Sequence, residues 1–284
     1  MKISFLLTII FTFLCCTAEA WDVTYTRQDS LKVVQLLSDG RKDSPSNLML
    51  YYGMKLQGVP YVAHTLEVND IEQLVVNLRQ LDCTTLVETV LALTLTTKEG
   101  SVRWEDYCRW LQTIRYSNGK PDGYTSRNHY FLWWVDHNRE KGIVDVPKLG
   151  KHAMRQIIEI NYMSTHSSAY RMLSGKSSDI RKIREMERKS SGRVMQYIPA
   201  SKVGLPKNEL TEISDGDILA IATKKAGLDT SHIGIAKWGK DGKLHLLNAS
   251  QIHKKVVLEP MTLAEYMKKH PSQLGIWVIK VKGL

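Results

Sequence analysis

Up to about residue 140, apolar positions recur at three- and four-residue spacing, the period of a helix with one buried face. The stretches SLKVVQLLSDG (30–40) and SPSNLMLYYGMKLQG (44–58) each carry serine near the start and glycine at the stop, so both are predicted helices. GVPYVAHTLEV is predicted extended around Pro60, and a short helical or irregular piece follows to Leu81. Residues 84–97 and 101–116 predict a third and a fourth helix. YSNGKPDGYTSRN is turn-rich and predicts a surface loop. The aromatic run NHYFLWWVDHN fits either a helix or a strand.

The later pattern is different. RQIIEINYM, RVMQYIPA, DILAIAT, SHIGIAKWG, KLHLLNAS and GIWVIKV are short, β-branched or alternating, and bounded by Gly, Asp and Ser. KDG at 240–242 is a hairpin turn signal, and Asp215 and Asp217 suit the turn that starts a strand. RKIREMERK (181–189) reads as a helix with a solvated charged face. Helices first and an antiparallel sheet afterwards predict an α+β fold. Without repeats, low-complexity tracts or Pro-rich linkers, residues 21–284 are expected to form one domain, helical over about 28–140 and β-rich over about 155–284.

The first twenty residues, MKISFLLTIIFTFLCCTAEA, have one lysine, an apolar stretch too short to span a bilayer, and a small-x-small end at Ala18-Glu19-Ala20. They predict a signal peptide over 1–20 and an exported, periplasmic, soluble protein. Lipid attachment at Cys15 or Cys16 is disfavoured because Thr12-Phe13-Leu14 lacks small residues. The net charge of +10 suits an anionic partner such as cell wall. The basic residues are scattered, which argues against a nucleic-acid patch.

Of four cysteines, Cys83 and Cys108 lie beyond this leader. Two cysteines in an oxidising compartment ordinarily suggest a disulfide. Against that, Trp104, Cys108, Leu111 and Ile114 follow helical spacing, which puts Cys108 on an apolar stripe. Cys83 precedes the periodicity of its own helix. In LDCTTLVE, Asp82 suits the N-cap and Cys83 sits where free backbone N–H groups and the positive helix end favour a thiolate and can hold an oxyanion.

A nucleophilic cysteine needs a base and a group that orients it. SHIGIAKW offers His232, and KLHLLNAS offers His245 and Asn248. Strand parity tests them. A two-residue turn at Asp241-Gly242 puts Asn248 on the wrong face from His232. A three-residue loop, Lys240-Asp241-Gly242, places Asn248 diagonal to His232 on one face, and a five-residue loop places them directly opposite. His245 has the other parity.

LDCTTLVE opening a helix, then SHIGIA, then LLNAS, resembles the NlpC-type cell-wall hydrolases, papain-like cysteine peptidases and amidases. Within these the chain is most similar to the exported N-acetylmuramoyl-L-alanine amidase-like proteins. GVPYVAHTLE, SRNHYFLWWVDHN, MSTHSSAY, QYIPA and DGDILAIATKKAGLDTSHIGIA extend the likeness over almost everything after Ser46. The resemblance implies a papain-like NlpC-type core, Cys83 as nucleophile, His232 as base and then acid, and Asn248 as the orienting residue. The superfamily more often has histidine at that third position. Tyr61, Asp82, Arg127, His129, Tyr130 and His166 are the residues expected to face the oxyanion or substrate, and Glu88 is expected to be structural. The implied partner is peptidoglycan or its muropeptide fragments, cut by a monomer between N-acetylmuramic acid and L-alanine. Cleavage inside the stem peptide, between D-glutamate and the diamino acid, and non-catalytic wall binding are the alternatives. No cofactor is implied, and none of the nine histidines has zinc spacing to a partner cysteine or carboxylate.

Overall fold

The computed structural model describes residues 23–283. The predicted leader, with Cys15 and Cys16, lies outside them. Two short strands, β1 (Val23–Thr24) and β2 (Leu74–Val75), pair in parallel. The helices of the first part are α1 (Arg27–Asp43), α2 (Leu48–Lys55), α3 (Cys83–Lys98), α4 (Trp104–Arg115) and α5 (Phe131–Glu140). The aromatic run therefore resolves as helix α5. Its buried residues are the unbroken run 131–135 and Asn138, and the polar and charged residues of its second half are otherwise more exposed.

The second part carries β3 (Val144–Asp145), β4 (Met154–Ile158), β5 (Arg193–Pro199), β6 (Ile218–Thr223), β7 (Thr230–Trp238), β8 (Leu244–Ser250), β9 (Lys255–Leu258) and β10 (Gln273–Val281). Three helices interrupt it: α6 (Tyr162–Thr165), α7 (Ser177–Ser190) and α8 (Leu263–Lys268). RQIIEINYM is thus a strand only to Ile158. Asn161 and Tyr162 turn their N–H groups to the Gly227 carbonyl instead of a ladder partner, and α6 begins there.

The strands form one antiparallel sheet in the order β4-β5-β10-β6-β7-β8-β9, with β3 added to β10. Both faces are covered at its centre. Every residue of β6 is buried, Ile218, Ala220 and Ala222 against the helices and Leu219 and Ile221 against a second core that includes Leu263 and Met267 of α8. Helix α3 runs through the main core. Every residue from Thr85 to Thr94 is buried, as expected of a helix that is apolar all round. Among the described residues no helix is long and apolar enough to cross a membrane. Cys83 and Cys108 are both free, so no disulfide joins them.

Two features of the sheet place the chemistry. The β7–β8 hairpin closes with Gly239 N–H donating to the Lys243 carbonyl, and Gly242 takes φ 71°. That is the three-residue loop with a left-handed glycine, and it pairs Ile235 with Leu247. In addition, residues 58–62 add to the free edge of β9: Gly58 N–H donates to Val256 O, Val256 N–H to Val59 O, and Tyr61 N–H to Lys254 O. Leu81 then lies beside Tyr61, its N–H on the Pro60 carbonyl, and α3 starts two residues later.

Candidate active site

Helix α3 begins at Cys83 because Asp82 caps it. The Asp82 carboxylate accepts the Thr85 N–H at 2.8 Å, and Thr85 Oγ1 accepts the Asp82 N–H at 2.8 Å, a reciprocal capping box. Asp82 thus serves the helix start, and it also lines a hollow beside the site. Cys83 is half-buried at the first helical position, where backbone N–H groups lack intrahelical partners.

On the sheet, register places Asn248 opposite Gly234 and diagonal to His232. The Asn248 Oδ1 lies 2.9 Å from His232 Nε2, and Asn248 is 1 % exposed. With Nε2 engaged there, Nδ1 is the ring nitrogen left to serve Cys83, which lines the same cavity. Burial alone would depress the His232 pKa. The neighbouring Cys83, the hydrogen bond to Asn248 and the Glu259 carboxylate outweigh it, so the ring is held above its ordinary value. His245 points elsewhere, with Nδ1 on the Glu259 carbonyl.

Cys83 and His232 line one cavity of about 210 Å³, closed by His129, Tyr130, Phe131, Trp134, Met163 and Tyr170 and by residues 228–231. It wraps the beginning of β7 and borders a second hollow of about 220 Å³, shared at Thr84, Asn128, His129 and Tyr170. Tyr61 lies on the strip that extends the β9 edge and lines neither hollow. Burial, then the charges of Cys83 and Asp82, push its hydroxyl up to about 12, which keeps it a hydrogen-bond donor.

The remaining expected residues divide. His129 lines both hollows; its Nε2–H donates to the Tyr124 carbonyl at 2.7 Å, and burial pushes its pKa down to about 3. It is a neutral ring. Tyr130 lines the cavity with its ring, while its hydroxyl donates to Glu187 and accepts the Met163 N–H. Arg127 lines the second hollow but is not free: it is buried, with Glu67 at 3.2 Å and Glu72 at 3.6 Å, under the Tyr124 ring. The expectation for His166 is corrected. It is exposed and stacked on Tyr162, bonded to the Tyr162 carbonyl, and lines neither hollow; Met163 and Tyr170 reach the cavity from that segment. Glu88 is structural as expected, buried against Arg115.

Sequence reasoning missed Asp229. It is buried at the cavity wall, and its oxygens accept the Leu132 N–H at 2.7 Å and the Thr230 N–H at 2.7 Å. It thus caps α5 from across the chain and fixes that helix against the start of β7. The only signal was an aspartate three residues before His232. Burial pushes its carboxyl up to about 6 against those bonds. A carboxyl raised in the folded state stabilises below its unfolded value and loses that contribution as pH rises through 6. Urea unfolding of wild type and Asp229→Asn should show this: the difference in stability changes by about 2–3 kcal/mol between pH 4 and pH 7, with wild type losing ground.

A helix-start thiol, an imidazole backed by an amide and a cavity over both define a candidate nucleophilic centre. Residues 51–276 match the AmiA-like family, described as N-acetylmuramoyl-L-alanine amidase-like, and the chain belongs to that family. Among solved structures, an N-acetylmuramoyl-L-alanine amidase from Bacteroides uniformis ATCC 8492 is 40 % identical with a TM-score of 0.77, over 86 % of this chain and 99 % of that one. A putative xylanase from Bacteroides fragilis is 37 % identical with a TM-score of 0.75, over 82 % and 100 %. A Legionella pneumophila protein, 22 % identical with a TM-score of 0.67 over 89 % and 94 %, shares the fold. No curated protein matches the sequence.

Proposed function

We propose that this protein is an exported, periplasmic peptidoglycan hydrolase of the papain-like NlpC type, a cysteine amidase that cuts muropeptides between N-acetylmuramic acid and L-alanine. The observation that carries the reading is the 2.9 Å bond from Asn248 to His232 on the wall of the cavity into which Cys83 opens. Membership of the amidase-like family and the Bacteroides uniformis relative support the choice of an amide bond.

The Cys83 thiolate adds to the lactyl amide carbonyl of the sugar. The oxyanion forms beside the free N–H groups at the start of α3, with the Tyr61 hydroxyl as a further donor. His232, in its protonated form, gives its proton to the departing L-alanine nitrogen, and the C–N bond breaks to leave a thioester on Cys83. The now neutral imidazole takes a proton from water, which hydrolyses the thioester and restores the thiolate–imidazolium pair. Asn248 keeps the ring in plane through both steps.

The name of the Bacteroides fragilis relative points to glycoside chemistry, which ordinarily uses two carboxylates flanking the scissile bond. Among the described residues the one carboxylate lining the cavity that holds Cys83 is Asp229, its oxygens taken by backbone N–H groups; Glu67, Asp82 and Glu88 line the adjoining hollow, engaged with Arg127, the start of α3 and Arg115. The amide reading is the stronger one.

Mass analysis of digests of defined muropeptides tests it. The expected products are a lactyl sugar and an intact stem peptide with a free L-alanine amine. A shortened stem would move the cut to the D-glutamyl bond, and no turnover of any muropeptide would leave a binding protein.

A further inference from the structure

Behind Asn248 lies a carboxylate that the reaction above does not use. Glu259 follows β9 and is 2 % exposed. Its Oε1 accepts the Asn248 Nδ2–H at 3.1 Å, and its Oε2 lies 3.1 Å from Nε2 of His253, which is 32 % exposed at its side chain. Among the described residues His253 is its only basic partner within salt-bridge distance. A buried carboxylate with so little compensation is costly, and an apolar residue would fill the space more cheaply.

We propose that Glu259 is a positioning residue of this site: it fixes the Asn248 amide with Oδ1 toward His232 and sets a buried negative charge behind the imidazolium. The inference rests on the cysteine–histidine reading given above. An asparagine amide has two orientations of nearly equal shape. Turned over, its oxygen would meet the Glu259 carboxylate and its NH₂ would meet His232 Nε2. The carboxylate accepts only from the NH₂ side, so it selects the orientation in which the oxygen faces the ring. The Leu246 carbonyl, 3.4 Å from Nδ2, makes the same choice more weakly.

The charge acts on the ring as well. The superfamily's more frequent third residue is histidine; here an uncharged amide intervenes between an imidazole and a carboxylate, so the negative charge reaches His232 through the amide's oriented dipole and across a buried gap. The titratable groups around Glu259 are few. His232 lies on one side, beyond the neutral Asn248 amide, and His253 on the other. His245 is bonded to the Glu259 backbone carbonyl, and Tyr266 of α8 lies within range of its charge. Among the described residues no lysine or arginine lies within salt-bridge distance to cancel it.

The test uses Glu259→Gln, which keeps the shape and an acceptor for Asn248 but removes the charge, and Glu259→Asp, which keeps the charge and shortens the reach. Two readouts are taken on the full-length protein across pH: kcat and kcat/KM on a muropeptide, and alkylation of Cys83 by iodoacetamide, followed on its own peptide so that Cys108 does not interfere. For Glu259→Gln, the alkaline limb of kcat/KM, where the imidazolium is lost, is expected about one pH unit lower, with the same displacement in the alkylation curve. For Glu259→Asp, the limb should stay in place while kcat falls about tenfold. A folded Glu259→Gln protein with a wild-type limb overturns the proposal. If that variant does not fold, Glu259→Asp decides: an unchanged kcat overturns it. Wild-type alkylation that is insensitive to His232→Ala would instead overturn the cysteine–histidine reading, and this inference with it.

Discussion

Cys83→Ala is expected to lower muropeptide hydrolysis at least about a thousandfold while leaving the protein folded. The size of the loss follows from what remains. His232, Asn248 and Tyr61 keep their places, so substrate is still bound and polarised, but no covalent intermediate can form and the reaction falls to whatever unassisted water attack provides. The mildness in stability follows from position. Cys83 is half-buried at the first helical residue, and the Asp82–Thr85 capping box that starts α3 does not use its sulfur. Melting should therefore stay within about 2–4 °C of wild type. Cys83→Ser should be nearly as inactive, because the hydroxyl stays protonated where a thiol ionises. Activity above about one per cent of wild type in the alanine variant would place the nucleophile elsewhere.

Arg115→Ala is expected to cause the largest loss of stability, about 3–5 kcal/mol in denaturant unfolding. The Arg115 guanidinium is 2.7 Å from Glu88 and also donates to the Val75 carbonyl, with both charged side chains about 3 % exposed. Removing the cation leaves Glu88 ionisable in the middle of α3 with nothing to pair it. Burial already raises the Glu88 carboxyl, and Arg115 is the main influence in the other direction. The variant must either protonate Glu88 or let water into the core. Replacing both partners together, Glu88→Leu with Arg115→Met, should recover most of the loss, since no lone charge is left behind. A single substitution that costs less than about 1 kcal/mol would show that the pair is not insulated as its burial indicates.

Much of the site could be read from local patterns. An aspartate at the cap, a cysteine before the periodic run and a KDG turn are short-range signals, and the parity argument left a small set of loop lengths that share one face between His232 and Asn248. What was not legible depends on contacts across the chain. Arg127 sits in a turn-rich loop, and nothing local reveals that Glu67 and Glu72 come to meet it. Asp229 and Glu259 are ordinary loop acids until α5 and Asn248 are set against them. His166 follows a cavity-lining methionine, yet a single helical turn rotates it onto Tyr162 and out to solvent. Helix α8 is a different case. Its Thr262–Glu265 capping box is a sequence-level signal, and only the shortness of the segment hides it among strands.

The edge of β9 carries a further consequence, one of timing. Residues 58–62, which hold Leu81 and so the start of α3, have their hydrogen-bond partners at 254–256. Cys83 is made early in synthesis, but the strand edge behind the start of α3 and the imidazole proposed to serve it both come from the last quarter of the chain. Such contacts, nearly two hundred residues apart, are among the slowest to form. The candidate site is thus expected to be among the last parts of the fold to assemble.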